Sequence, residues 1–189
     1  MIYADHAATT KTSRAAKEAM IACMEEHWGN PSSLYTLGQE ANELLQSARE
    51  RIAGCIGAAA REIYFTSGGS EADNQAIRSA AYWGARRGKK HIISSAIEHH
   101  AVLHTLERLK EEGFEITLLP VGEEGIVKVS DVAAALREDT ALVTIMYANN
   151  EIGTLQPIRE IGALCREKKV IFHTDAVQAV GHVPVDVQV

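Results

Sequence analysis

From Glu62 onward the chain alternates short apolar runs with amphipathic stretches, and this alternation limits the possible folds more than any other feature. The apolar runs Ile63–Thr66, His91–Ser94, Glu115–Leu119, Ala141–Tyr147 and Val170–Thr174 read as strands. Between them Ser70–Gly84, His100–Glu112, Ser130–Arg137 and Pro157–Lys168 carry helical periodicity. Gly113 stops one helix, Ser130 starts another, and Pro157 suits a first helical turn. Strands joined by helices cannot form hairpins, so the pattern predicts an α/β fold whose sheet is mainly parallel with flanking helices. Two helices precede it. Ser13 can cap one running through about His27, with Ala16, Met20, Cys23 and Met24 on one face. After the turn cluster Gly29-Asn30-Pro31-Ser32-Ser33, a second spans Gln39 to Ile56, with Ala41, Leu44, Leu45, Ala48, Ile52 and Cys55 inward and Gly57 as its stop. The expected organisation is an N-terminal helical segment over 1–60 and an α/β domain over 61–189.

Composition narrows the function classes. Nineteen basic and 25 acidic residues are mixed along the 189-residue chain, net charge −6, with no basic block, which argues against a nucleic-acid partner. The N-terminus has no basic leader and no apolar run approaches about 18 residues, so a cytoplasmic chain with no membrane association is expected. Cys23, Cys55 and Cys165 are an odd number, far apart, each in a helical apolar pattern, and read as buried thiols in a reducing compartment.

In an open parallel sheet, ligands gather at the carboxyl ends of the strands. Four candidate strand ends carry polar groups. Phe65-Thr66-Ser67-Gly68-Gly69-Ser70 leads from a strand into a helix, leaving free N–H groups that, with the helix dipole and the Ser70 hydroxyl, suit a phosphate. An ordinary turn with Ser70 as N-cap is the simpler alternative. Neither a Gly-Lys-Ser/Thr nor a G-x-G-x-x-G signature accompanies it. Asp175 can cap a following helix, or hold its carboxylate against a protonated ring nitrogen as a pyridoxal cofactor requires. His99 can be a hydrogen-bonded histidine, or stack on a heterocycle and move a proton. Asn150 and Gln178 can make local backbone bonds, or bond a phenolate oxygen without adding charge. His100 and His104, at i and i+4, have a metal-compatible spacing, but H-E-x-x-H is absent and this reading is secondary.

Taken in order, Tyr3-Ala4-Asp5-His6-Ala7-Ala8-Thr9-Thr10, Gly29-Asn30-Pro31-Ser32-Ser33, Phe65 through Asn74, Glu98-His99, Asn149-Asn150-Glu151-Ile152-Gly153 and Asp175-Ala176-Val177-Gln178 resemble the cysteine desulfurases of the NifS/IscS group. These are class V, fold-type I pyridoxal-phosphate enzymes. The resemblance implies that Gly69 and Ser70 hold the cofactor phosphate, His99 stacks on the ring, Asp175 pairs with its nitrogen, and Asn150 and Gln178 bond its oxygen side. It implies conversion of L-cysteine to L-alanine, with sulfur carried as an enzyme persulfide to iron–sulfur scaffold or thiolation proteins, and a homodimer in intact relatives.

The resemblance covers all 189 residues but only about the first half of such an enzyme. The family's anchoring lysine, in a Ser-Gly-His-Lys motif, and its sulfur-accepting cysteine have no counterpart here; Lys168, Lys169 and the three cysteines do not match those positions. Tyr35 stands where many relatives carry histidine. The expectation is a chain that is inactive by itself and unstable or self-associating. Alternatives within this reading are another class V enzyme, such as a selenocysteine lyase or aminotransferase, and a non-catalytic binding or dimerisation module.

Overall fold

The structure is a computed structural model and describes residues 2–188. The chain divides into two compact units, one comprising the residues through Phe65 together with those from Pro184 on, the other Thr66–Val183. The expected organisation placed the boundary after residue 60. The segment up to Phe65 instead stays with the first unit, where Arg49 donates to the Ile63 carbonyl and lies 5.0 Å from the centroid of the Phe65 ring.

In the first unit, α1 (Arg14–Glu26) starts at Ser13, whose hydroxyl accepts the Ala16 N–H at 3.1 Å. Its apolar face is not covered: α1 buries no residue, and Met20, Cys23 and Met24 are exposed. α2 (Thr36–Ile56) begins earlier than expected, at a Tyr35 cap, and ends at Gly57 in the left-handed conformation, φ 71°. Only Gly38, Ala41 and Ala53 of α2 are buried, while Ile52 and Cys55 are exposed. Of the three thiols expected inside, Cys165 alone is buried. Within the first unit the other described elements are few, so these amphipathic helices leave apolar surface uncovered.

The second unit is built on β1 (His91–Ser95), β2 (Glu115–Leu119), β3 (Thr140–Thr144) and β4 (Ile171–His173), ordered β2-β1-β3-β4 and parallel throughout. The helices are α3 (Gly69–Ala85), α4 (His100–Glu111), α5 (Val129–Ala135) and α6 (Ile158–Lys168). Side chains alternate across the strands and fill two cores. Ile92 and Leu142 pack with Ile77 and Ala81 of α3 and with Val102, Leu106 and Leu109 of α4. Ile93 and Val143 pack on the opposite side with Val132 of α5 and Ile161 and Cys165 of α6. Each fully buried aliphatic side chain contributes about 1.5–3 kcal/mol by leaving water. Central strands β1 and β3 are buried at every position.

One expected strand is absent. Ile63–Thr66 is not part of any sheet; Tyr64 and Phe65 are 76% and 49% exposed. A strand requires main-chain partners on a neighbour, and no described segment pairs with this one. β3 is shorter than the expected Ala141–Tyr147, but its backbone continues alongside β4. Ile145 N–H donates to the His173 carbonyl at 3.1 Å and Tyr147 N–H to that of Asp175 at 2.8 Å.

Candidate functional site

The start of α3 is the first component. Its N-cap is Gly68, so Ser70 lies inside the first turn and is not the cap. The first intrahelical bond runs from Ala72 N–H to the Gly68 carbonyl at 3.1 Å, which leaves the N–H groups of Gly69, Ser70 and Glu71 without main-chain acceptors. Glu71 does not occupy them. Its carboxylate accepts the Ser67 N–H at 2.7 Å and the Ser67 hydroxyl at 2.6 Å, and these bonds hold it below the usual carboxylate range. Gly69 lies close to the residue after Ala176: a Cβ on Gly69 would be 2.9 Å from Cγ2 of the exposed Val177 side chain. The helix start therefore abuts the turn after β4, between Asp175 and Gln178.

His99 is the N-cap of α4. Its Nδ1 accepts the Ala101 N–H at 3.1 Å, so a neutral ring carries its proton on Nε2. His99 and Ser70 line one groove of about 500 Å³, together with Asn74, Arg78, His100 and His104. The rings of His100 and His104 are 5.4 Å apart, yet among the described residues no three His, Cys, Asp or Glu side chains gather as a metal would require.

Asn150, Asp175 and Gln178 do not line that groove; they stand at the adjoining ends of β3 and β4. Asp175 is buried, and its Oδ1 accepts the Val177 N–H at 3.0 Å, capping a turn where a helix was the expected alternative. The two adjacent asparagines differ. Asn149 is buried and ties its loop to that of β1, donating to the Ile97 carbonyl at 3.0 Å while its Oδ1 accepts the Glu151 and Ile152 N–H groups. Asn150 is half-buried and makes no such tie.

Three groups that the sequence reading gave no part in holding the cofactor lie in the same region; of them Glu98 was expected only as a neighbour of the metal-compatible His100 and His104. Burial pushes the Asp73 carboxyl up to about 7, and the Asp175 charge adds to the shift. Burial also raises Glu98 to about 7, against donors from Ser95 (2.5 Å) and the Met146 N–H (3.0 and 3.1 Å). His173 Nε2 lies 3.6 Å from Asp73 Oδ1, but burial drives the imidazole down to about 4, so the contact is no ion pair at neutral pH. A signal for His173 existed: two residues before Asp175 on a strand, it shares that residue's face.

A parallel α/β sheet whose strand ends bring together a bare helix N-terminus, a helix-capping histidine and buried carboxylates is an architecture that binds ligands at the carboxyl ends of its strands. The chain belongs to the class-V aminotransferase family, whose model matches residues 2–189. That family is in general pyridoxal-phosphate-dependent. Cysteine desulfurase IscS of Clostridium botulinum is 52% identical over 187 residues, 99% of this chain and 47% of that protein. Two solved structures superimpose closely. A NifS-like protein has TM-score 0.93 and 38% identity, covering 97% of this chain and 51% of the other. The protein described as SspA in complex with cysteine has TM-score 0.94 and 38% identity, covering 98% and 53%. The chain thus spans about half the length of the relatives it matches. Among the described residues no helix is long and apolar enough to cross a membrane.

The donor set fits pyridoxal phosphate. Unbonded N–H groups and a hydroxyl at a helix start suit a phosphate, a buried carboxylate suits a protonated ring nitrogen, and two half-buried amides suit the ring oxygen.

Proposed function

We propose that residues 1–189 supply the cofactor-holding part of a pyridoxal-phosphate-dependent cysteine desulfurase acting on L-cysteine. The observation that carries this reading is the approach of Gly69 to Val177, which sets the anion-suited helix start against the turn bearing Asp175 and Gln178. Gly69 and Ser70 would hold the phosphate, the flat His99 ring would face the pyridine, Asp175 would pair with the ring nitrogen, and Asn150 and Gln178 would bond the ring oxygen. Bound there, the cofactor supplies an electron-withdrawing ring that stabilises negative charge on a substrate carbon. The chain's own residues bind and orient. Asp175 keeps the ring nitrogen protonated, and the Nε2 proton of His99 is available to a substrate group in the groove. The anchoring amine and the sulfur-accepting thiol of the family chemistry would come from residues outside 1–189, as would contacts to a sulfur acceptor such as an iron–sulfur scaffold protein.

The test is equilibrium binding of pyridoxal phosphate to the purified chain, followed by absorbance and fluorescence, with pyridoxal as the control lacking phosphate. Asp175→Asn keeps the acceptor for the Val177 N–H and removes the charge. It is expected to weaken binding by about 10-fold or more, and Ser70→Ala by about 5-fold. Release of alanine from cysteine is expected to be absent. Pyridoxal binding as tightly as its phosphate, or binding indifferent to Asp175→Asn, would refute the reading.

A further inference from the structure

Where β1 ends, a main-chain donor of the neighbouring strand loses the partner a longer strand would have given it. The N–H groups of Ile145 and Tyr147 donate to the carbonyls of His173 and Asp175, so that of Met146, between them, points to the β1 side. β1 last pairs with this strand at Ser94, opposite Thr144. Beyond Ser95 the chain turns away, and the Ala96 N–H donates to the Leu119 carbonyl of β2 at 3.0 Å. Met146 is buried, so its N–H must find an acceptor within the protein. That acceptor is the carboxylate of Glu98, also buried. Both its oxygens lie on the Met146 N–H, at 3.0 and 3.1 Å, and Oε1 also accepts the Ser95 hydroxyl at 2.5 Å. A side chain thus stands in for the strand carbonyl that β1 no longer supplies.

The next residue is His99. Its ring is exposed, and its hydrogen bond is the local one from the Ala101 N–H. Where the ring stands therefore depends on where the main chain just before it is held. Two ties hold that stretch to the segment leaving β3: the Glu98 carboxylate on the Met146 N–H, and the Ile97 carbonyl, which accepts from Asn149 Nδ2 at 3.0 Å. The first tie has a strict chemical requirement. A carboxylate only accepts, whereas an amide of the same shape would set an NH2 group against the Met146 N–H whichever way it was turned.

We propose that Glu98 is a positioning residue for His99: by replacing the missing strand carbonyl at Met146, it fixes the main chain one residue before the ring that faces the cofactor. Asn150 follows on the segment that Met146 begins, so the same tie sets the loops of His99 and Asn150 relative to each other. This inference rests on the reading of His99 as the residue facing the pyridine ring.

A double-mutant cycle in pyridoxal-phosphate binding to the purified chain tests it, at pH 8, above the value of about 7 to which burial raises Glu98. His99→Asn keeps a side chain able to cap α4 and removes the ring, and should weaken binding about fivefold. Glu98→Gln should weaken binding about fivefold in the parent but less than about twofold in the His99→Asn background, because the ring it misplaces is gone. Ser95→Ala removes one donor from Glu98 and leaves the Met146 bond. It should show the same pattern with a loss of about threefold, and it decides the matter if Glu98→Gln does not fold. A loss as large in the His99→Asn background as in the parent makes Glu98 a general support of the fold and overturns the assignment, as does no loss in the parent. If the parent binds and His99→Asn binds as tightly, the place of His99 at the ring falls and the role of Glu98 with it. If the parent binds no pyridoxal phosphate, the functional reading itself falls, and this assignment with it.

Discussion

Asn149 and Asn150 show how two identical side chains in one turn can carry opposite duties. Asn149 closes the loop after β3 on that after β1, using donor and acceptor ends together, with a further contact from Nδ2 to Met146 Sδ at 3.4 Å. Asn149→Ala would remove the partner of the Ile97 carbonyl and of the Glu151 and Ile152 N–H groups, three bonds that are each half-buried. It should cost about 2–3 kcal/mol, read as a lowered denaturation midpoint. Asn150→Ala should stay within about 0.5 kcal/mol of the parent by the same measurement while weakening pyridoxal-phosphate binding. Equal destabilisation by the two would contradict this division. The sequence pointed to Asn150 through family resemblance only; nothing in an Asn-Asn pair says which amide turns inward, because that depends on the strand end beneath it.

At the scale of elements, α3 is held to the sheet by a close approach no periodicity argument reveals. A Cβ on Gly84 would sit 2.4 Å from Ala141 Cβ on β3 and 3.3 Å from the Lys89 carbonyl oxygen. Glycine there lets the helix end lie directly on a central strand. Gly84→Ala should therefore destabilise by about 1–3 kcal/mol despite alanine's better helix propensity, and chemical denaturation would show it. A neutral or stabilising result would mean the backbone yields at little cost. The strand candidate Ile63–Thr66 marks the opposite limit. Its apolar, β-prone residues are as suggestive as those of β1, but strand formation depends on a neighbour, and local composition is silent about neighbours.

For the molecule as a whole, buried titrating groups set how stability responds to pH. Asp73 and Glu98 rise from ordinary values of 3.8 and 4.5 to about 7, so through that window the folded chain binds more protons than the unfolded one. Their contribution is fully present at low pH and is lost as pH rises towards 7. His173 falls from 6.5 to about 4, so it opposes them, favouring the fold as pH rises over that interval. Two acids outweigh one histidine. Stability should decline from about pH 5 to about pH 7, Glu98→Gln should shallow that decline, and His173→Gln should steepen it. Urea denaturation at several pH values reads all three; stability that rises from pH 5 to 7 would reverse the assignment of these groups.

The sequence by itself determined the class of the fold, because the spacing of apolar residues is a local record of which faces are buried, and β1, β2, β4 and the helices lie close to where that spacing put them. It also determined which side chains stand at the strand ends, since those positions follow from the strands. The tertiary structure alone decided how they divide the work. It set Gly69 against Val177, lowered Asp73 onto His173, gave the Nδ1 of His99 to a helix cap, and left Ile63–Thr66 unpaired. Apart from the His99 cap, made to Ala101 two residues on, each of these depends on residues distant in the chain, and burial, which moves the carboxyl groups and the imidazole, exists only once those contacts have formed.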